Sequence, residues 1–321
     1  MPSVRTETDL RGYCDELRAV GLDAPWSRPG PLIQPKATRV QPTLWRWHDV
    51  EPLVRRSVEH MKPGRGAERR IVRLMNPGVP ERTSAHTISV AVQYLMPGEV
   101  APAHRHTPNA IRFMLHGEGA YTTVEGQKVA MRSGDVVVTP SMTWHDHGNE
   151  GGDPVMWLDG LDSPVVRYLE NLLMQPYPEE RQRGGAGPGR RIHFPWTEMA
   201  AALERAAATP DPFDDVIVEY VDPVTGASLV PTQACYAQVL RPGVHTRAHR
   251  QSSTAFYHAF RGAGATVIDG TRYEWAEGDS FVVPPMARHS HGNDGAEPAV
   301  LFSFQDVPLL KAVGLYREEE G

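Results

Sequence analysis

The sequence predicts a mainly β protein with two similar antiparallel barrels and a few peripheral helices. From residue 71 onward, short runs rich in β-branched and aromatic residues alternate with Gly, Pro and charged turn residues. Glycine and proline number 29 each among 321 residues, as expected for many turns between short strands. The β-rich part also occurs twice. The chain length suits the two domains that this repeat implies.

Composition and charge narrow the classes of partner. Lys and Arg together number 33 and Asp and Glu 39, which gives a net charge of -6 and makes nucleic acid an unlikely general partner. No apolar run approaches the roughly 20 residues that cross a bilayer, and residues 1–12 are too polar for a signal peptide. We therefore expect a cytoplasmic protein with no membrane partner. Cys14 and Cys235 are too few for a disulfide framework or a cysteine-rich metal site.

Residues 1–70 are predicted to form a helical and extended arm. Apolar residues recur at helical spacing over residues 8–20, and a second helix is expected to start near Asp49. The spacing of Val54, Val58 and Met61 predicts that they face the protein body.

Three further segments follow the arm. Residues 71–177 are expected to form the first barrel, which carries the catalytic residues, and residues 216–321 the second. Between them, residues 178–215 are expected to form a linker and a helix. Residues 177–191 are dense in Gly and Arg without apolar periodicity, as in a flexible linker or exposed loop. The stretch WTEMAAALERAAA has the pattern of a short helix.

The two β-rich segments are copies of one another. Residues 94–121 align with residues 239–266, and residues 132–149 align with residues 276–293. Two copies are too few for a solenoid, so the chain contains a duplicated β domain.

Three histidines of the first copy have the spacing of a metal site. His104 and His106 are two residues apart, so on a strand they point to the same side. His145 would reach them from another strand. Trp144 and Asp146 would face the other side, and we expect Trp144 to lie in the core. A single histidine is usually only hydrogen-bonded, but three together can cap one face of an octahedron and leave three positions open for catalysis.

The spacing of these histidines resembles the two motifs of the cupin proteins. The first is Gly98-x5-His104-x-His106, and the second, G-x5-P-x4-H-x3-N, extends from Gly134 through His145 to Asn149. The duplication resembles a bicupin, which implies two double-stranded β-helix (jelly-roll) barrels. Most cupins have a glutamate soon after the second histidine, whereas this chain continues TPNAIRF.

The chain resembles the gentisate 1,2-dioxygenase family, which includes the salicylate, nitrosalicylate and 1-hydroxy-2-naphthoate dioxygenases. The resemblance is carried by LWRWHDVEPL, QYLMPGEVAPAHRH, IRFMLHGEGAYTTVEG, TPSMTWHDHGNEG and VMWLDGLD. It implies Fe(II) held by His104, His106 and His145, and an aromatic hydroxy acid and O2 as substrates. It also implies ring cleavage between the carboxyl-bearing and hydroxyl-bearing carbons, and a homo-oligomer that we expect to be a tetramer.

Arg112 is the strongest candidate for substrate binding. It follows His106 by six residues, and even spacing on one strand would turn it into the same interior. A buried guanidinium needs an anionic partner. That partner is either the substrate carboxylate, as the family resemblance implies, or a structural carboxylate such as Glu99 or Glu118.

Four more residues are expected in the pocket. His147 shares the face of His145 and could bind substrate or oxygen and transfer a proton, or only support the fold. Gln93 and Asp159 match family positions that hold the substrate ring, although either could instead orient a ligand histidine. Ser89 stands where relatives commonly carry an aromatic residue. It would widen the pocket, unless a neighbour fills the space.

The second copy has lost most of this constellation. His249 and His289 align with the first and third ligands, but Gln251 replaces the second. Tyr257 and Ser303 stand where the first copy has its arginine and aspartate. Two imidazoles and an amide make a poor transition-metal site, so a structural or interface role is expected here.

Two other functions are compatible with a duplicated cupin. A metal-dependent isomerase or lyase would use its metal only as a Lewis acid, and oxygen uptake distinguishes it from a dioxygenase. A non-catalytic binding protein should have lost the metal ligands in both copies, and the complete first triad argues against it.

Overall fold

The computed structural model describes residues 7–30, 38–64 and 69–320, which belong to two compact units, residues 1–38 and 39–321. Parts of the arm expected over residues 1–70 therefore lie outside the described residues. No helix within these ranges is long and apolar enough to cross a membrane.

The first unit contains a single α-helix among its described residues. Helix α1, Glu7–Ala19, agrees with the helix predicted over residues 8–20 to within one residue at each end. A short 3-10 turn, Pro25–Ser27, follows it.

The second predicted helix is α2, Trp47–Arg56, which starts two residues before Asp49. Val54 is fully buried as expected, but Val58 is 37% exposed. The reason is that the α-helix gives way at Ser57–Glu59 to a 3-10 turn, which shifts the apolar face.

The described part of the second unit consists mainly of short strands. Its other helices are α3 (Ser163–Tyr168), α4 (Trp196–Ala206) and α5 (Val307–Ala312). The strands are β1 (Thr43–Trp45), β2 (Ile71–Arg73), β3 (Ser89–Leu95), β4 (Val100–His106), β5 (Ala110–His116), β6 (Ala120–Val124), β7 (Gln127–Ala130), β8 (Val136–Thr139), β9 (His145–Asn149), β10 (Val155–Leu161), β11 (Met174–Pro176), β12 (His193–Phe194), β13 (Val216–Glu219), β14 (Ala234–Leu240), β15 (His249–Gln251), β16 (Ala255–Arg261), β17 (Ala263–Ile268), β18 (Thr271–Ala276), β19 (Ser280–Val283), β20 (His289–Gly292), β21 (Ala299–Gln305) and β22 (Glu318–Glu320).

These strands form two barrels, each made of a six-stranded and a five-stranded antiparallel sheet. In the first barrel the strand orders are β12-β8-β5-β10-β3-β2 and β11-β4-β9-β6-β7. In the second barrel they are β1-β19-β16-β21-β14-β13 and β18-β17-β20-β15-β22. The predicted fold class, a mainly β bicupin with few helices, is confirmed.

The largest apolar core lies where the two six-stranded sheets pack against each other. Ile111 and Phe113 of β5 belong to this core, and the Phe113 ring stacks on Phe302 of the second barrel with centroids 4.0 Å apart. Successive strand residues face opposite sides, so Met114 packs inside the first barrel and Arg112 faces that interior as well. Strand β5 is therefore buried on both faces.

Two short arms tie the barrels together. Strand β1 completes the six-stranded sheet of the second barrel, and the helix that follows it, α2, packs on β3 of the first barrel. Strand β12 completes the corresponding sheet of the first barrel, and α4 packs on β13 and β14 of the second. We call these segments, residues 43–56 and 193–206, the two arms. The first of them is only a part of the longer arm predicted over residues 1–70.

The arms are anchored in the same way. The backbone N–H of Trp47 donates to Oδ1 of Asp279 at 2.7 Å, and that of Trp196 donates to Oδ1 of Asp135 at 2.9 Å. Each aspartate follows a glycine of the second cupin motif, and a Cβ on Gly278 would lie 2.5 Å from the Trp47 ring. The Gly-Asp pair of each barrel therefore receives the tryptophan that starts an arm helix.

Candidate metal centre and active site

Three histidines meet inside the first barrel. Strand β4 carries His104 and His106, and β9 carries His145, which pairs with His104 across the two strands. All three side chains are buried, and their potential ligand atoms lie within 4.8 Å of one another.

The Nδ1 atoms of these histidines fix where their lone pairs point. Each Nδ1 lies within hydrogen-bond distance of a backbone carbonyl oxygen, which can only accept, so Nδ1 carries the hydrogen and Nε2 is left as an acceptor. The Nε2 lone pairs are then available at the shared centre. The three pairs are His104 with Pro102 at 2.7 Å, His106 with Pro108 at 2.8 Å and His145 with Thr143 at 2.9 Å.

The imidazoles are held in the neutral form that metals bind. Burial, and next to it the Arg69 guanidinium, lowers the pKa of His104 to about 2 and that of His106 to about 3. Burial also holds the pKa of His145 well below its ordinary value. Nε2 of His106 and of His145 has no hydrogen-bond partner within the described ranges. This donor set fits a first-row divalent metal.

Arg69 is a site residue that the sequence did not reveal. It lies just before β2, outside the repeated segments, and its Nη2 contacts Nε2 of His104. Its neighbour Arg70 turns the other way and binds the Glu99 carboxylate through two contacts of 2.6 and 2.7 Å. The only sequence signal for Arg69 was that adjacent residues of an extended segment point to opposite sides, so that one of the two arginines should face the interior.

Arg112 reaches the same interior by a route other than the predicted one. It does not share a strand with His106, because residues 107–109 connect β4 of one sheet to β5 of the opposite sheet. Arg112 thus faces the metal centre from across the barrel. The predicted side of the barrel is therefore correct, but the predicted reason, a single strand shared by His106 and Arg112, is not.

The carboxylate beside Arg112 is Asp159, a register partner on β10. Arg112 Nε lies 3.0 Å from Asp159 Oδ1, but its N–H is not aimed at that oxygen, so the contact is an ion pair without a hydrogen bond. The structural carboxylate is thus Asp159 and not Glu99, which pairs with Arg70, or Glu118, the two examples that the sequence offered as alternatives to a substrate carboxylate. Asp159 orients a guanidinium rather than a ligand histidine.

The centre carries more positive than negative side-chain charge. Burial raises the pKa of Asp159, whereas its neighbours Arg112 and Arg69 lower it, and burial lowers the pKa of Arg69 to about 10. Because arginine stays charged at neutral pH, two guanidiniums face a single carboxylate here. An anionic ligand would stabilise this excess of buried positive charge.

Several polar atoms face the barrel interior without a partner in the described chain. Among them are both amide atoms of Gln93, Nε1 of its register partner Trp157 and Nε2 of His147. His147 Nδ1 lies 2.9 Å from Thr122 Oγ1, so one ring nitrogen is engaged. Gln93 makes no hydrogen bond to a ligand histidine. Ser89 lies on β3 four residues before Gln93 and hence on the same face, 5% exposed.

The residues that flank His145 face away from the centre. Asp146 accepts hydrogen bonds from the backbone and side chain of Gln182 at 3.0 and 3.1 Å. Trp144 is only partly buried, with the Arg105 guanidinium 4.4 Å from its ring centroid. The prediction that Trp144 belongs to the core is wrong, because the outer side of β9 is covered by charged and polar groups.

Known proteins with the same architecture place this site in a family. A model described as "Cupin domain" matches residues 91–160 and 237–304. The 5-aminosalicylate 1,2-dioxygenase of Comamonas sp is 38% identical over 98% of this chain and 91% of its own length. The gentisate 1,2-dioxygenase of Ralstonia sp is 33% identical over 97% of this chain and 95% of its own.

The chain belongs to the gentisate and salicylate 1,2-dioxygenase family. A crystal structure of the salicylate 1,2-dioxygenase of Pseudoaminobacter salicylatoxidans, an adduct with gentisate, has a TM-score of 0.88 and 29% identity to it. The match covers 99% of this chain and 96% of that one. The resemblance read from the sequence is thus confirmed. As a member of this bicupin family, the protein is a ring-cleaving 1,2-dioxygenase of salicylate-type substrates with a three-histidine metal site.

Proposed function

We propose that this dioxygenase uses Fe(II), held by His104, His106 and His145, to cleave the ring of a 2-hydroxybenzoate. Candidate substrates are gentisate, salicylate and 5-substituted salicylates such as 5-nitrosalicylate, opened between the carboxyl-bearing and hydroxyl-bearing carbons with incorporation of O2. When bound, Fe(II) supplies three open coordination positions at which a hydroxy acid and O2 can meet. One observation carries the proposal: three neutral imidazoles converge beside two guanidiniums and a single carboxylate.

The two arginines are suited to bind the substrate carboxylate. The Arg112 guanidinium contacts Asp159 through Nε and donates from Nη1 to the Thr139 hydroxyl, which leaves its remaining N–H groups for an anion. Arg69 must release the lone pair of His104 when a cation is bound there, because one lone pair cannot serve both. Its guanidinium is then free to pair with the incoming carboxylate.

Gln93 and His147 are suited to the other polar groups of the substrate. The buried amide of Gln93 can both donate and accept, as a ring substituent requires. Burial, and next to it Arg112, holds the pKa of His147 well below its ordinary value, so the ring is neutral. With Nδ1 donating to Thr122, Nε2 of His147 can accept a hydrogen bond from the phenolic hydroxyl of the substrate.

Ser89 supports a substrate range wider than gentisate. Its small side chain lies on the Gln93 face of β3, and a wide pocket discriminates weakly, by roughly 1–3 kcal/mol for a misfit of methylene size. We expect the parent enzyme to turn over gentisate, salicylate, 5-aminosalicylate and 5-nitrosalicylate, and Ser89→Trp to lose the bulkier ones. A parent confined to gentisate, with specificity constants unmoved by Ser89→Trp, would contradict this.

Oxygen uptake tests the reaction. The protein is loaded anaerobically with Fe(II) and mixed with these four salicylates, and we expect one O2 consumed per ring opened. His104→Ala, His106→Ala and His145→Ala should each lose iron and activity, whereas the exposed control His60→Ala should lose neither. Turnover without O2, or with Zn²⁺ in place of Fe(II), would favour the isomerase or lyase instead.

We also propose that the protein acts in the cytoplasm as a homo-oligomer, with a tetramer expected from the resemblance. Light scattering on the purified protein measures the oligomeric state directly. A monomer would contradict the proposal.

A further inference from the structure

The second barrel retains a pair of buried histidines in the position of the first metal centre. His249 on β15 and His289 on β20 are register partners, as His104 and His145 are in the first barrel. Their side chains are 1% and 3% exposed, and their Nε2 atoms lie 3.1 Å apart. Two imidazoles on neighbouring strands of one sheet thus meet inside the second barrel.

The hydrogen bonds of the other ring nitrogens leave both Nε2 atoms as acceptors. Nδ1 of His249 lies 3.1 Å from a carboxylate oxygen of Glu318, and Nδ1 of His289 lies 3.1 Å from the carbonyl oxygen of Ala287. Both oxygens only accept, so both Nδ1 atoms carry the hydrogen. The two Nε2 lone pairs then face each other and repel, unless a positive species lies between them.

The separation fits a shared metal ion. Nitrogens bound at 2.0–2.1 Å to one tetrahedral or octahedral ion stand about 2.8–3.4 Å apart, a range that includes the observed 3.1 Å. Outer hydrogen bonds from Nδ1 to a carboxylate and to a backbone carbonyl are the usual support of metal-binding histidines. The first centre uses the carbonyl form of this support at all three of its histidines.

Two more polar groups adjoin the pair. His291, 2% exposed, has an Nε2 without a partner among residues 7–30, 38–64 and 69–320, 4.0 Å from Oδ1 of Asp214. Asp214 lies in the loop before β13, where the Gln238 amide donates to its carbonyl oxygen at 2.8 Å. Its neighbour Phe213 stacks parallel on the His249 ring at 5.0 Å. This loop therefore brings a carboxylate to the histidines and covers them with a ring.

We propose that the second barrel binds one first-row divalent cation through Nε2 of His249 and His289, with the Asp214 carboxylate as the balancing anion. The proposal is independent of the ring-cleavage reaction. It also revises the sequence interpretation, which considered Gln251 as the third group. Gln251 is engaged with Ser253, whose hydroxyl donates to it at 3.0 Å, and the carboxylate comes from a loop outside the aligned motifs.

The second site is expected to stabilise the barrel rather than to catalyse. Tyr257 and Ser303 are register partners, as Arg112 and Asp159 are in the first barrel, so the guanidinium that would bind an anionic substrate is missing there. A cation bound at this position would join β15 and β20 with the loop before β13.

Cobalt binding to the full-length chain tests the proposal. We expect two Co²⁺ per chain in the wild-type protein and one in the His104→Ala/His106→Ala variant, measured by elemental analysis after gel filtration. Adding His249→Gln or His289→Gln to that variant should remove the remaining Co²⁺, with the circular dichroism of a folded β protein retained. Asp214→Asn should weaken Co²⁺ binding at least tenfold.

A matched control separates this site from surface histidines. His245, 58% exposed in its side chain, belongs to the same barrel, and His245→Ala should leave the count at one in the His104→Ala/His106→Ala background. No Co²⁺ in that background, with one per chain in the wild type, would overturn the proposal and imply a shared proton between the two rings. Because Co²⁺ is counted directly, absent oxygen uptake would contradict the proposed function alone.

Discussion

At the scale of single residues, the pair of Arg112 and Asp159 is expected to serve both folding and substrate binding. Arg112→Leu removes a charge-assisted contact of roughly 1.5–3 kcal/mol and should raise the KM for salicylates about 10- to 150-fold. It also leaves Asp159 buried without its partner, which should cost about 3–5 kcal/mol of unfolding free energy. Steady-state kinetics and chemical denaturation measure the two effects separately.

A double variant distinguishes the two roles. Arg112→Leu/Asp159→Leu should recover much of the stability, because no unpaired charge remains, but not the KM. Arg112→Lys should recover only part of the binding, since lysine lacks the planar fork. An unchanged KM in all three variants would leave Arg112 a purely structural residue.

Glu99 gives a prediction about pH. Burial raises the pKa of this carboxyl, but its hydrogen bonds with Arg70 and the Met96 amide outweigh burial and bring it below the ordinary value. A pKa lowered in the folded state means that Glu99 stabilises the fold above the ordinary pKa and loses this effect as the pH falls. The unfolding free energy of Glu99→Gln should therefore fall less steeply with acid than that of the parent.

Denaturant titrations between pH 3 and 7 measure this difference. The exposed control Glu204→Gln should follow the parent curve. A parallel acid decline in Glu99→Gln and the parent would contradict the prediction.

The sequence predicted the site residues that lie inside recognisable motifs. The spacing of the three histidines is visible from strand geometry, whereas Gln93 was indicated by the family resemblance and Arg112 by an even spacing that the strand break at residues 107–109 interrupts. Arg69 and Asp214 were missed because each lies in an irregular segment just before a strand, where no periodicity shows the direction of a side chain. Their positions depend on how distant segments pack, which a single sequence does not contain.

At the scale of elements, β5 and β10 show how tightly the two six-stranded sheets are fitted. Gly160 of β10 faces the second barrel, and a Cβ there would lie 2.5 Å from Phe304, whose ring is fully buried. Gly160→Ala should therefore cost about 1–3 kcal/mol of unfolding free energy through overpacking. Thermal or chemical denaturation measures the loss.

A smaller partner should restore the fit. In the background of Phe304→Leu, the added cost of Gly160→Ala should shrink, which a double-mutant cycle detects. Gly152→Ala is the matched control, since nothing lies within 4 Å of its added Cβ. Equal costs of the two alanine substitutions in the parent would argue against overpacking.

The existence of most elements followed from the sequence, but the limits of some did not. Only three residues, 107–109, separate β4 from β5, and Pro108 is the main sign of a turn among them. From the sequence, β4 and β5 could therefore be taken for one strand that carries both His106 and Arg112. The split places β4 and β5 in different sheets of the first barrel. It moves Arg112 to the opposite sheet while it keeps the residue inside.

At the scale of the whole molecule, the two arms connect barrels that the sequence presents as separate domains. Asp279 receives the Trp47 amide and the Arg46 guanidinium, at 2.7 and 3.0 Å, and so holds the first arm to the second barrel. Asp279→Ala should cost about 1–3 kcal/mol, because the amide loses its acceptor. Hydrogen exchange of residues 43–47 should accelerate more than that of the barrel strands.

The homologous aspartate provides the comparison. Asp135→Ala should loosen residues 193–196 at the start of the second arm and leave the first arm protected. Protection lost equally in both arms in either variant would point to global destabilisation. From the sequence these segments are predicted only as parts of an arm and a linker, because β1 and β12 are too short to show a strand pattern.

The first arm also constrains the order of events during protein synthesis. Strand β1 emerges from the ribosome long before its partner β19, and the bond between Trp47 and Asp279 spans 232 residues. At roughly 5–20 residues per second, that separation corresponds to a wait on the order of tens of seconds. Strand β1 must therefore stay without its partner while most of the chain is translated. The second barrel is complete only after β22 has also been synthesised.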